Sequence, residues 1–306
     1  MRQTQRLNPQ KVFRTWYETA WNPWFPEDFK WHQFRFMRFN GRWVKIPKPR
    51  SRIRSKRQLA RIIRSLTPKH AFYTVLKFID PSAVGPPDIT VQCLGGDLVF
   101  DLDAPIEPYN IDSEKYRDVA MRALRLTDFL RELGYREVFY VFSGLKGFHV
   151  HVRDFDPYEF LGKDRTQTLR LEIEAEARER IANLIHSHGV EVDIEVTKDV
   201  KRIVRLPNTL HGKSALITLF LRQHELERIV SDPLLIKERA SPKLFNESTR
   251  VTILGPRINM IKFFDQTFTL RDKGVLPLQI LLILTLNDLV DSILSPPDYL
   301  KIWMGI

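Results

Sequence analysis

The chain has one cysteine, Cys93, in 306 residues. That excludes a disulfide framework and a cysteine-rich zinc site, so the fold must support itself, and a reducing interior suits it. No apolar run is long enough for a bilayer. The greasiest, "VLPLQILLILTL" from Val275 to Leu286, is too short and carries Pro277 and Gln279. It is expected to form a core helix, with no membrane partner. No apolar leader follows "MRQTQRLNPQ", and a cytoplasmic protein is expected. Internal repeats and low-complexity tracts are missing too.

Acids are scarce at one end. Residues 1–70 hold 18 Lys and Arg against Glu18, Glu27 and Asp28 alone, so the net charge of +11 belongs to this segment and the rest is slightly acidic. A polyanion docking there is the first functional suggestion, set against a merely solubilising surface. Five of the six tryptophans (Trp16, Trp21, Trp24, Trp31, Trp43) fall in residues 10–45, interleaved with Arg35, Arg38 and Arg42. Such interleaving serves base stacking and phosphate contact, although most of these rings are expected to fill a core. Between Ser55 and Ser65 the apolar residues recur at helical spacing, and Arg57, Arg61 and Arg64 form a separate basic stripe fit to follow a phosphate backbone.

After Pro86-Pro87 the elements alternate. "GGDLVFDLDA" reads as a strand, and Asp112 or Ser113 caps a helix ending at Gly134. "EVFYVFSG" and "GFHVHVRDF" are strands, Asp164 starts a second helix ending near Gly189, and "VDIEV" and "ALITLFL" supply further strands. Strand, helix, strand, strand, helix, strand is the order of a split βαβ sheet, an α+β fold.

Alternation puts Asp101 and Asp103 on the same side of their strand, Cα atoms roughly 6.5 Å apart. Unit charges about 4 Å apart repel by about 4 kcal/mol at an effective dielectric near 20. A hard divalent cation, Mg²⁺ or Mn²⁺, answers that repulsion and keeps positions open for phosphate and water. Alone, the pair reads equally as a surface feature. "FSGLKGFHVHV" adds Ser143, Lys146 and His149 around a turn hinged by Gly144 and Gly147, a phosphate cradle by composition or a generic hairpin. His149 and His151 share a strand face and also suit metal ligation, without an identifiable third ligand. His186 and His188 read as surface residues complementing a helix C-terminus. Asp193, in the "VDIEV" run, is followed by Arg205, His211 and Lys213, while Asp199 and Lys201 read as a solvated connection.

Taken in order, "GGDLVFDLDA", "SGLKGFHVHV" and "VDIEVTKDVKRIVRLPNTLHGKSAL" resemble the three motifs of the archaeo-eukaryotic primase superfamily, most closely the small catalytic subunit of archaeal DNA primase. "PKHAFYTVLKF" and "FTLRDKGVLPLQ" resemble its flanking elements. The resemblance implies one catalytic domain over 1–306: a basic, aromatic N-terminal part (1–90), an RRM-like split βαβ core (91–225) and a C-terminal part (226–306), the two flanks being helical elaborations. It implies that Asp101, Asp103 and Asp193 bind two Mg²⁺ or Mn²⁺ ions, and that Ser143, Lys146, His149, Arg205, His211 and Lys213 hold the triphosphate of an incoming NTP or dNTP. Template-directed primer synthesis on single-stranded DNA, a primase large subunit as partner, and a place near an archaeal nucleoid follow from it. Two departures stand out: residues 104–142 contain neither Cys nor His, so no zinc knuckle is expected, and Leu145 occupies a position basic in some relatives. A repair or translesion polymerase, a plasmid or viral replication enzyme, a metal-dependent phosphoesterase and a non-catalytic nucleic-acid-binding module are the alternatives.

Overall fold

The structure, a computed structural model, describes residues 5–84, 93–164 and 171–295. Pro86-Pro87 and residues 165–170 lie outside the described residues, and Asp164, expected to start the second long helix, is not helical. At the centre is a five-stranded antiparallel sheet in the order Leu219–Leu221, Val138–Phe142, Gly147–Phe155, Cys93–Asp103, Leu76–Phe78. Cys93–Asp103 leads through the helix Ser113–Glu132 to Val138–Phe142, with Gly147–Phe155 inserted between the two strands, which is the split βαβ unit. The last strand of the series lies beyond Val138–Phe142, while Leu76–Phe78, from before the series, takes the edge beside Cys93–Asp103.

Period-two alternation divides this sheet into two faces. Leu98, Phe100, Leu102, Phe148, Val150 and Phe142 are buried on the side of the helix Ser113–Glu132, whose Tyr116 meets Phe142 edge to face at 5.4 Å. Each such large apolar side chain contributes about 1.5–3 kcal/mol. The helix begins where Asp112 accepts from Glu114 N–H and ends before Gly134 at φ +96°. The opposite face carries Asp97, Asp101, Asp103, His149 and His151.

A second antiparallel sheet, Ile203–Arg205, His70–Thr74, Phe34–Met37, Trp43–Ile46, packs near that polar face. The chain passes from His70–Thr74 of this sheet to Leu76–Phe78 of the central one through Val75 alone. There Val75 N–H donates to the Arg202 carbonyl at 3.0 Å. Two helices cover the N-terminal part: Pro9–Thr19, capped by Asn8, and Lys56–Leu66, capped by Ser55. Trp16 and Trp21 fill the core, whereas Trp31 and Trp43 remain 43% and 49% exposed.

Several expectations are corrected. "VDIEV" is no strand: Ile194–Lys198 is a short helix whose first turn is capped by the Asp193 carboxylate, accepting from Val196 N–H at 2.9 Å. A five-residue run fits either period, and the cap decides it. "ALITLFL" is strand only at Leu219–Leu221. Val275–Pro277 belong to a strand, Lys273–Pro277, and the buried helix runs Leu278–Leu286. The flanks are as much sheet as helix, since Ser248–Leu254, Lys273–Pro277 and Ser292–Ser295 form a further sheet with Gln5–Arg6. A short helix at Pro157–Leu161, capped by Asp156, precedes the second long helix, Leu171–Ser187.

One buried ion pair ties that helix to the central sheet. Arg178 Nε donates to Glu174 Oε2 at 2.9 Å and its Nη2 to the Asp97 carbonyl at 2.8 Å, with both side chains almost fully buried. Removing one partner strands a buried charge, so Arg178→Met is expected to cost about 3–5 kcal/mol, and Glu174→Leu with Arg178→Met to recover most of it. Urea denaturation of the single and double variants measures both.

Candidate active site

The acid pair sits at the mouth end of the strand Cys93–Asp103, and its antiparallel register with Gly147–Phe155 places Asp101 opposite His149 and Asp103 opposite Gly147. Only glycine fits at 147, because a Cβ there would lie 1.9 Å from the Leu102 carbonyl oxygen. The turn before it closes when Gly147 N–H donates to Ser143 Oγ at 3.2 Å and Ser143 N–H donates to the Gly147 carbonyl at 2.9 Å. Gly144 adopts φ +92°, with a missing Cβ that would meet His211 Cβ at 2.6 Å. Leu145 is buried, and its carbonyl accepts from Tyr116 Oη at 2.6 Å, pinning the turn to the helix. Leu145 is thus an anchor that leaves Lys146, exposed and without an ion pair among the described residues, to supply the charge.

Asp101, Asp103, Ser143, Lys146 and His149 line one hollow of about 340 Å³ with Arg205, His211 and Lys213. Seven of the expected residues lie on the central sheet or its turn and the adjoining loop; Arg205 comes from the second sheet. Four lining residues escaped the sequence reading: His70 and Phe72 on the strand His70–Thr74, and the neighbours Arg202 and Ile203. Arg202 Nη2 donates to Asp101 Oδ2 at 2.6 Å. Arg205 stacks over Phe72 at 4.4 Å and its Nη1 lies 2.6 Å from His70 Nδ1. The signal for His70 and Phe72 was the alternation in "KHAFYT", and for Arg202 the basic residues bracketing "KRIVR".

Burial and cationic neighbours keep the imidazoles neutral. Burial, then Arg205, Lys69 and Lys213, hold His70 down at about 2. His211 is likewise held well below the usual range by burial and then by Arg205. His70 Nδ1 accepts from Gly212 N–H at 3.2 Å, and His211 Nδ1 accepts from Ser214 N–H at 3.4 Å, so both carry their proton on Nε2. Burial lowers His149 to about 4, against the opposing pull of Asp101. Arg205 is brought down to about 10 by burial and remains charged, as Asp101 and Asp103 favour the cation.

Asp193 does not join the first hollow. It borders a neighbouring one of about 210 Å³ together with Asp101, Asp103, Glu191 and Arg122, and its carboxylate serves as a helix cap. Among the described residues no three His, Cys, Asp or Glu side chains converge closely enough to enclose a metal ion. The acid pair itself fits a hard cation. Asp101 Oδ1 is buried and, among the described residues, makes no hydrogen bond; the neutral His149 Nε2 stands 3.7 Å away, while Arg202 holds Oδ2. Partial desolvation and then the Asp101 charge push the Asp103 carboxyl up to about 6. Both observations describe oxygen donors short of positive charge. Arg57 and Arg64 of the basic stripe line a different hollow, described below, and Arg61 lines neither.

The chain has relatives among known proteins. A family model described as DNA primase small subunit matches residues 100–221. The DNA primase small subunit PriS of Pyrobaculum arsenaticum is 30% identical over 248 residues, 68% of this chain and 75% of that protein. PriS of Sulfurisphaera tokodaii is 26% identical over 270 residues, 74% of this chain and 81% of its own. A solved structure, the polymerase domain of Mycobacterium tuberculosis ligase D in complex with DNA, is a looser likeness: 14% identity, 76% of this chain, 92% of that one, TM-score 0.45.

Because the Asp103 carboxyl is raised, its ionisation opposes folding: its contribution to stability is most favourable below pH 4 and is lost as pH rises through about 6. Asp103 is solvent-exposed, which screens the effect to about 1 kcal/mol or less. Asp103→Asn is therefore expected to raise the thermal midpoint at pH 7.5 by about 2 °C. The gain disappears below pH 4, which calorimetry across pH 3.5–8 checks.

Proposed function

The chain belongs to the DNA primase small-subunit family, and from that membership we propose that it is the catalytic subunit of a DNA primase, a template-directed nucleotidyltransferase that makes short RNA or DNA primers on single-stranded DNA. The observation that carries the reading is that the acid pair and the cationic wall face one small hollow. Carboxylates alone serve many chemistries. A carboxylate pair opposite Lys146, Lys213, Arg202 and Arg205 suits a substrate that is itself a polyanion needing partial neutralisation.

Asp101 and Asp103 are the residues that would hold divalent cations, with Asp193 bordering them from the next hollow. Such cations, when bound, neutralise phosphate oxygens and lower the pKa of an attacking hydroxyl. The chain's own groups position the nucleotide. Lys146 and Lys213, exposed and unpaired among the described residues, offer ammonium donors to the β- and γ-phosphates of an NTP or dNTP, and Arg205 offers a guanidinium fork held over Phe72. Ser143 and the turn's backbone shape the cradle. His211 and His149, neutral at physiological pH, donate or accept hydrogen bonds without adding charge. Fixing the triphosphate in this way sets its α-phosphorus for in-line attack.

The basic N-terminal part, with Arg57, Arg61 and Arg64, supports a template contact there. The family's description as a small subunit implies a larger companion chain. Among the described residues no helix is long and apolar enough to cross a membrane. We place the protein in the cytoplasm, beside the nucleoid of an archaeon, as the archaeal relatives suggest.

The test is incorporation of labelled NTPs and dNTPs on an unprimed single-stranded template. Asp101→Ala with Asp103→Ala is expected to lower incorporation by at least about 100-fold, and undiminished incorporation would overturn the assignment. Lys146→Ala should raise the nucleotide KM by roughly ten- to a hundredfold, the loss of one charge-assisted contact. Phosphate release without elongation would point to a phosphoesterase instead.

A further inference from the structure

A second hollow, of about 1000 Å³, opens on the same face of the central sheet, beside Gly96 and Asp97. Asp97 shares one side of its strand with Asp101 and Asp103 of the first hollow, their Cα atoms roughly 13 and 20 Å away. The function proposed above makes no use of this opening beyond Arg57 and Arg64.

Its walls combine two chemistries. One is cationic. Lys56, Arg57, Arg153 and Arg222 line it, and among the described residues none of the four has a carboxylate within ion-pair distance. The acids in the same wall are largely committed: Lys77 holds Asp28 at 3.4 Å and Asp154 at 2.6 Å, and Asp97 lies 3.2 Å from His151 Nδ1, with Glu27 exposed at the rim. Arg64 is laid over the Trp21 ring at 5.3 Å.

The other chemistry is aromatic. Trp24 stacks on Phe220 at 5.5 Å with planes 24° apart, Phe220 on Phe139 at 5.1 Å and 27°, and Phe139 on His151 at 4.5 Å and 23°. Trp24 and Phe220 are half-buried and line the hollow. Three parts of the chain distant in sequence, the loop of Trp24, the strand of Phe220 and the hairpin of Phe139 and His151, supply this column, so the rings are held in place by the fold rather than gathered by local chain composition.

Unpaired cations beside flat rings are what a phosphate and a base each require, and the volume is ample for one nucleotide. We propose that this hollow is a second binding site for a nucleotide unit, the base against Trp24 and Phe220 and the phosphate on Arg57, Arg153 and Arg222. The same chemistry is offered by a residue of a single strand and by a free nucleotide. Where the source is a strand, the inference rests on the primase reading for its identity as template; the hollow's affinity does not depend on catalysis.

The experiment uses the full chain and two probes: a fluorescent twelve-residue single-stranded deoxyoligonucleotide read by anisotropy, and AMP read by equilibrium dialysis. Arg153→Glu with Arg222→Glu is expected to weaken strand binding at least tenfold at 50 mM salt and to flatten the log–log salt dependence by about two. Phe220→Leu should weaken it about fivefold or more at unchanged salt slope, since a ring and not a charge is lost. A parallel loss for AMP identifies free nucleotide as a ligand as well; AMP binding unchanged in the charge variant identifies the strand as the ligand. Strand and AMP affinities within twofold of wild type in both variants overturn the proposal. Should Phe220→Leu fail to fold by circular dichroism, Arg153→Gln with Arg222→Gln decides alone, a change under twofold being the overturning result. Primer synthesis by the wild type is scored separately. Variant-sensitive strand binding without synthesis sinks the primase reading and spares the hollow, while synthesis with variant-insensitive binding does the reverse.

Discussion

The antiparallel register between Cys93–Asp103 and Gly147–Phe155 is the constraint on which the site depends. It sets both acids on one side of a strand whose other side is packed against a helix, and it draws the turn at 143–147 up against them. A slip of one residue would send Asp101 and Asp103 into the apolar layer and Leu102 into the hollow. Slippage is opposed from both sides. Leu98, Phe100 and Leu102 are fully buried, and the close approach at Gly147 admits no side chain. The same contacts that stabilise the sheet therefore hold the chemistry in place.

The arrangement of charge follows a second logic. Two carboxylates are kept near each other although one is driven towards protonation, and the cations that could relieve them are divided between pairing and waiting. Arg202 is spent on Asp101, and Arg205 is held over Phe72. Lys146 and Lys213 are exposed and, among the described residues, have no ion pair. The imidazoles between them are kept neutral by burial, so the wall gains donors without gaining repulsion. A site tuned for its own stability would pair everything; this one retains uncompensated charge of both signs, which suits a ligand that brings anionic groups and cations together.

Much of the site could be read from residue order. The strand bearing the acids, the helix capped by Asp112 and the hairpin with its glycine turn followed from period and punctuation, because each is long or strongly marked. Asp193 shows where that reading stops: five residues satisfy two periods at once, and the carboxylate that was expected to meet a cation also serves as the cap that makes the segment helical. His70, Phe72 and Arg202 were legible only as parts of a strand and a connection, since nothing local indicates which sheet will lie against which. Their role arises from packing of the second sheet near the first, a non-local contact. Arg57 and Arg64 were noticed for charge, but the ring column beside them, built from Trp24, Phe139 and Phe220, is invisible until three separate parts of the chain are brought together.

The passage through Val75 joins the two sheets with a single residue between their strands, and Val75 N–H is bonded to the carbonyl of Arg202, the partner of Asp101. At that margin the sheets are stitched together. Val75 lies beside Gly96, so the stitch falls at the end of the strand Cys93–Asp103 away from the acid pair, and the Arg202 side chain carries the tie across to the Asp101 carboxylate.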